Sequence, residues 1–329
     1  MIDEILSHLV HFTEVDQPKN IYRISNLPHQ EFYNKNFSLV LDEEDIDPDK
    51  IKVKVLNIQT LTRKELCFDY KLGVRIPIGK CAGEVQYLTM GHETDVSDAI
   101  IGGQSGKGKT TLLNNIIIGG MKQYSPSELT FELIDCSGVG FQAFKDSRYV
   151  SAFYSSSSVD DCLPAIQYLE EEMNRREQLF KDAKVDKLSD YVKKTGRPLP
   201  RLICLIDEFH VLFTGSMKIS SYIDSILVDR AIRIGRKFGV HLIVSTQSLG
   251  GNLRRSILDN IPLRLALGMT ADQSAGFLGF KNEAASNLER GLVVYNGENG
   301  APKANRIVRV PYITPEEIER IVSQTNKKQ

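Results

Sequence analysis

The chain has 329 residues, 41% hydrophobic and 25% charged, with a formal net charge of -1 at neutral pH. This is the make-up of a soluble globular protein with one large α/β domain, or one domain and an extension; it excludes fibrous and disordered chains. The charge balance rules out wholesale coating by nucleic acid but permits a local basic surface. No apolar run reaches the ~18 residues of a membrane span, and residues 1–11 lack the basic start and apolar core of a secretory signal. The expected location is therefore the cytoplasm. The cysteines, Cys67, Cys81, Cys136, Cys162 and Cys204, contain no C-x-x-C pair, so a reduced protein without a disulfide framework or zinc site is expected.

Residues 1–72 form a distinct leader. Residues 2–10 can make a short amphipathic helix through Ile5, Leu6 and Leu9. The acidic, proline-containing run 42–48 reads as a solvated loop, and residues 51–55 alternate like a half-exposed strand. This leader carries no chemical motif and reads as a small accessory subdomain or a piece of a longer chain; a protein partner could bind there.

From Val74 the pattern becomes β-α-β, and residues 73–329 are expected to form one domain. A short buried strand, Ala99-Ile100-Ile101, leads into Gly103-Gln104-Ser105-Gly106-Lys107-Gly108-Lys109-Thr110, a G-x-x-x-x-G-K-[ST] phosphate loop. An amphipathic helix over residues 111–121 follows, beginning at Thr111. The glycines let backbone N–H groups curl around a polyphosphate, and the helix N-terminus adds donors and partial positive charge. The whole run 103–111 is thus expected to hold ATP. Lys109 would reach the β/γ-phosphates, and the Thr110 hydroxyl would bind Mg²⁺.

Residues 129–134 read as a buried strand ending at Asp135, with a glycine-containing loop, 136–140, at its carboxyl end, where open α/β sheets place ligands. Residues 160–182 read as a long helix whose charges, among them Glu172, Arg175 and Arg176, form mostly a solvated face. The run Arg201-Leu202-Ile203-Cys204-Leu205-Ile206-Asp207-Glu208 is apolar and ends in two carboxylates. Asp207 is placed to hold Mg²⁺, directly or with Thr110, and Glu208 to polarise the water attacking the γ-phosphate. Residues 220–237 have helical period. A further buried strand, 241–247, closes on Ser245, Thr246 and Gln247, and Gln247 can sense the γ-phosphate. The six histidines are dispersed and suggest no metal site; His210, beside the acidic pair, reads as structural.

Taken in order, these segments resemble the FtsK/SpoIIIE motor ATPases, including the EssC/EccC ATPases of type VII secretion. The shared pattern includes the lead-in Val74-Arg75-Ile76-Pro77-Ile78-Gly79-Lys80, the phosphate loop and Glu172-Met173-Asn174-Arg175-Arg176. It continues with Ile206-Asp207-Glu208-Phe209, Ile234-Gly235-Arg236-Lys237-Phe238-Gly239-Val240-His241, Asn260-Ile261-Pro262-Leu263-Arg264 and Gly291-Leu292-Val293-Val294-Tyr295. The resemblance implies a RecA-like P-loop NTPase with a mostly parallel sheet flanked by helices, working as a homo-oligomeric ring, commonly a hexamer. It implies ATP and Mg²⁺ at Lys109, Thr110 and Asp207, water activation by Glu208 and γ-phosphate sensing by Gln247. Arg236 matches an arginine that acts across the subunit interface, with Arg175 and Arg176 as competitors. Lys107 stands where these ATPases have a small residue. The loop after Asp135 lacks the Pro-Lys of the DNA translocases and looks nearer the type VII version.

The leading functional expectation is a motor threading double-stranded DNA, with loops 214–220 (Lys218) and 250–255 (Arg254, Arg255) facing the cargo. The alternatives are a protein-secretion ATPase module recognising a peptide signal, and a regulatory or defence NTPase activated by a partner bound at residues 1–72.

Overall fold

The computed structural model describes residues 12–14, 21–23, 68–91, 94, 96–138, 140–249 and 255–327. The chain divides into a unit over residues 1–66 and another over residues 67–329. Of the first, an antiparallel pair is described, β1 (Phe12–Glu14) with β2 (Ile21–Arg23), Phe12 opposite Arg23. The helix expected at 2–10 and the strand expected at 51–55 lie outside the described residues.

The second unit opens on a hairpin, β3 (Gly73–Cys81) and β4 (Glu84–Gly91), where the sequence suggested the start of a β-α-β unit. The correction has a local cause: Ala82 and Gly83, both at positive φ, turn the chain back at once. Next come β5 (Ala99–Gly102), α1 (Lys109–Gln123), β6 (Leu129–Asp135), β7 (Val150–Ser155), α2 (Val159–Ala183), α3 (Leu188–Thr195) and β8 (Arg201–Asp207). After β8 the helix α4 (Met217–Asp224) runs through a π-helical stretch, Ser225–Ile232, into α5 (Arg233–Phe238) and then β9 (Val240–Thr246). The remainder comprises α6 (Arg255–Leu258), β10 (Leu263–Leu267), α7 (Ala271–Leu278), β11 (Leu292–Asn296), β12 (Arg306–Arg309) and α8 (Pro315–Lys327).

All but the first pair of strands join one ten-stranded sheet in the order β4-β3-β12-β11-β10-β5-β9-β8-β6-β7. The run from β10 to β7 is parallel; the flank from β11 to β4 is antiparallel. Residues of β5, β8, β9 and β10 are all buried, as expected of parallel strands covered on both faces. Helix α1 lies close against the sheet because of Gly119 and Gly120. A Cβ on the first would come within 2.8 Å of the Ile76 side chain, and one on the second within 2.8 Å of the Phe131 ring.

At the amino ends of the parallel strands, Arg201 and His241 form a buried polar tie. The Arg201 guanidinium donates to the carbonyls of Tyr70 and Lys71, and to His241 Nε2 at 2.9 Å. His241 Nδ1–H in turn donates to the Ser97 carbonyl at 2.8 Å, a pattern that fixes the neutral tautomer. Burial, and then the nearby Arg201 charge, push the His241 pKa down to about 3. This tie fastens the lead-in to β3 onto the starts of β5, β8 and β9.

The candidate nucleotide site

Strand β5 ends at the phosphate loop. Gly106 and Gly108 sit at φ 76° and 106°, and Gly108 caps α1 in a left-handed conformation that a side chain disfavours. Helix α1 has no side-chain cap and no acidic residue in its first turn, so its first N–H groups and its dipole face outward toward an anion. The N–H groups of Ser105, Gly106 and Gly108 also meet no protein acceptor among the described residues. Ser105, Gly106 and Thr110 are exposed, and Thr111 is half-buried. This concave set of donors, with a buried lysine at its base, fits a polyphosphate.

Other loop groups are already engaged and shape the loop. The Gly103 amide donates to the Thr246 carbonyl, and the Gln104 amide to the Gly268 carbonyl. Gln104 Nε2 donates to Gln273 Oε1 at 3.0 Å, and Gln273 belongs to the capping box of α7. Lys107 turns its side chain away from the loop interior, its Nζ donating to the Leu288 carbonyl at 3.3 Å. The unusual lysine is therefore a strut to residue 288, while its amide donates to the Gln104 carbonyl.

Asp207, the last residue of β8, and Glu208 converge on Lys109. Lys109 Nζ lies 3.0 Å from Asp207 Oδ1 and also bonds Glu208 Oε1. Strand β9, between β5 and β8, completes the arrangement: Ser245 Oγ donates to Asp207 Oδ1, and the Gln247 amide donates to Glu208 Oε2 at 2.9 Å. Burial alone would raise the Glu208 carboxyl. Hydrogen bonds from His210 and Lys109, the Lys109 charge and the Gln247 amide outweigh it and hold the pKa down to about 2. The Thr110 hydroxyl and the Asp207 carboxylate are oxygen donors of the kind Mg²⁺ takes, which uses one or two carboxylates with phosphate oxygens and water. Among the described residues no cluster of three or more His, Cys, Asp or Glu is placed to hold a metal.

Asp135, beside Asp207 in the β6–β8 register, has a different task. Its carboxylate accepts from the Ser137 amide and hydroxyl, the Gly140 amide and the Ser155 hydroxyl, pinning the loop after β6.

The other expected residues fall in several places. The Gln247 side chain is exposed at the end of β9, beside the acid pair. Arg236 is exposed on α5, just before the amino end of β9, at the sheet edge opposite the phosphate loop of its own chain. Arg176 is 1% exposed and is bound to Glu172 and to the carbonyls of Phe238 and Pro200, so it is committed within its own subunit. Arg175 pairs with Glu172 on the surface. Lys218 lies on helix α4 and not in a loop, because Ser216 caps that helix by accepting from the Ile219 amide. Arg255 begins α6 and donates to the Gly276 carbonyl; residues 250–254 lie outside the described set. Ser245 and His210 were not assigned site roles from the sequence. Three polar residues closing an otherwise apolar strand were the available sign of the first.

Cys81, Cys136, Cys162 and Cys204 are free thiols. No helix among the described residues is long and apolar enough to cross a membrane.

Residues 71–292 match the FtsK/SpoIIIE family. The ESX secretion system protein YukB of Bacillus subtilis is 29% identical over 247 residues, 72% of this chain and 16% of YukB. The ESX secretion system protein EccC of Geobacillus thermodenitrificans is 30% identical over 203 residues, 59% of this chain and 13% of that protein. The chain thus matches less than a fifth of the length of these relatives. Among solved structures, the cytoplasmic domain of the Thermomonospora curvata type VII secretion ATPase EccC superimposes with a TM-score of 0.66. It is 24% identical, and the match covers 82% of this chain and 33% of that one. The pCW3 conjugation coupling protein TcpA, solved with ATPγS, gives 0.60 at 18% identity, covering 76% of this chain and 70% of TcpA. With the phosphate loop, the acidic strand end and a mostly parallel sheet in one domain, the chain belongs to the FtsK/SpoIIIE family of P-loop ATPases.

Proposed function

We propose that the chain is the ATP-hydrolysing module of a translocation motor that works as a homo-oligomeric ring in the cytoplasm. The observation that carries this reading is the convergence of Lys109, Asp207 and Glu208 beneath an uncapped helix N-terminus. ATP phosphates are held by loop 103–111 and by Lys109. Thr110 and Asp207 would hold Mg²⁺, which when bound neutralises charge on the phosphates. Glu208 accepts a proton from water as the water oxygen bonds the γ-phosphorus. The bond from that phosphorus to the β–γ bridging oxygen breaks, leaving ADP and phosphate. Gln247 reports on the γ-phosphate, and Arg236 of a neighbouring subunit completes the charge stabilisation.

For the cargo, the relatives favour a polypeptide: YukB and EccC are secretion proteins, and one solved Thermomonospora curvata EccC complex carries a signal sequence peptide. The second reading, double-stranded DNA, is favoured by the exposed Lys218 on the segment that leaves the carboxyl end of β8. An ATPase assay separates them. Salt-sensitive stimulation by linear duplex DNA at two ionic strengths supports DNA, stimulation by a helical signal peptide supports secretion, and silence until a protein partner is added supports partner activation through residues 1–72. Wild-type turnover by Glu208→Gln would remove Glu208 from the mechanism.

A further inference from the structure

Glu208 occupies a left-handed conformation, φ 54° and ψ 45°, which costs a non-glycine residue about 1–2 kcal/mol. A side chain placed at that cost needs partners to stay aimed. Its Oε1 is taken by Lys109; its Oε2 accepts the Gln247 amide at 2.9 Å and faces His210 Nδ1 at 3.4 Å. His210 Nδ1 also lies 3.1 Å from Thr246 Oγ1, which accepts the Ser248 amide at 2.9 Å. A carboxylate oxygen can only accept, so Nδ1 carries the proton and is shared between Glu208 and Thr246. The imidazole keeps 34% of its surface exposed, too much for a side chain retained for packing.

We infer that His210 is a positioning residue for the general base, acting through Glu208; this rests on the reading of Glu208 given above. The geometry divides the carboxylate between two tasks. Bound phosphate competes for Lys109 and frees Oε1, the oxygen that must then meet water. Oε2 remains held from two directions, by the end of β9 through the Gln247 amide and by the turn after β8 through His210. Without His210 a single amide is left, and the carboxylate can swing about it. The residue therefore acts on turnover and leaves nucleotide affinity alone.

The test compares His210→Ala and His210→Asn, whose Nδ2 can stand where Nδ1 does, with wild type. His210→Ala should lower kcat by on the order of 10- to 100-fold, the cost of a misplaced group, with KM and ATPγS affinity within about twofold. His210→Asn should recover most of that loss, and His210→Ala should add no further loss in a Glu208→Gln background. The inference is overturned if His210→Ala turns over like wild type. It is also overturned if kcat and the thermal midpoint fall together with no rescue by Asn, which marks a structural role. Inactive Glu208→Gln beside active His210→Ala rejects the positioning role alone. Active Glu208→Gln rejects the general-base reading and this inference with it.

Discussion

Lys109 Nζ and Asp207 Oδ1 stand 3.0 Å apart with side-chain exposures of only 6% and 8%, so a buried ammonium neutralises the acidic end of β8. Lys109→Ala should abolish nucleotide binding and also destabilise the fold by about 3 kcal/mol, because it leaves Asp207 and Glu208 buried without a cation. Adding Asp207→Asn should return part of the stability and none of the binding. Chemical denaturation and nucleotide titration read the two effects separately. Equal stability of wild type and Lys109→Ala would refute this account of the triad.

Glu132 lies in the middle of β6, fully buried, and neither carboxylate oxygen has a well-formed hydrogen bond among the described residues; the Cys204 thiol is the polar group alongside. Burial raises its pKa to about 8, well above its unfolded value. The native state therefore binds the extra proton between roughly pH 4.5 and 8, and stability falls as pH rises through that window. Glu132→Met should escape the loss. It should exceed wild-type stability by on the order of 3 kcal/mol at pH 8.5, with the gap closing toward pH 5. A gap independent of pH would show that Glu132 is not held neutral.

Arg176 gives a stability prediction with no catalytic counterpart. Its Nη1 and Nη2 each donate at 2.8 Å, to the Phe238 and Pro200 carbonyls, and its Nε donates to Glu172 at 2.7 Å. Arg176→Ala should cost about 3 kcal/mol, since it leaves the Phe238 and Pro200 carbonyls without their donor and takes one of two arginines from Glu172. Turnover per folded molecule should be unchanged. A collapse of turnover at unchanged stability would return Arg176 to the list of interface arginines.

Arg236 gives the reverse expectation. It is exposed, so its removal should leave the fold within about 0.5 kcal/mol of wild type. If it completes a neighbour's site, Arg236→Ala should lose about 10³- to 10⁵-fold in turnover. Mixing it with Glu208→Gln subunits should then restore hydrolysis, because some interfaces regain both groups. Near-wild-type hydrolysis by Arg236→Ala alone would end its candidacy.

The parallel core was legible because its strands are continuous apolar runs closed by polar residues: Ile206 before Asp207, Val244 before Ser245. The phosphate loop was legible from its glycine and lysine spacing. The antiparallel flank was harder to read. Strands β11 and β12 pair across a long connection, 297–305, whose Asn299-Gly300 turn lies away from both strand ends, and β3 carries Pro77 and a bulge between Pro77 and Gly79 that blur its alternation. The π-helical stretch Ser225–Ile232 shares its apolar spacing with an ordinary helix, so residues 220–237 read as one continuous helix. The contacts made by His210 were hidden for another reason. Its partner Thr246 lies 36 positions further along the chain, and Gln247, which holds the same Glu208 carboxylate, lies 39 positions beyond Glu208; sheet order, not sequence, brings them together.

Strand β9 also works as a spacer. It separates the strand that launches the phosphate loop from the strand that ends in the acids, holding them two inter-strand distances apart, about 10 Å. Ser245, fully buried on that strand, donates its hydroxyl to Asp207. The acid is thus held from the spacer strand by a short hydroxyl side chain. A bulkier residue at 245 would press on Asp207 and shift the acidic end of β8 while the phosphate-loop sequence stayed unchanged.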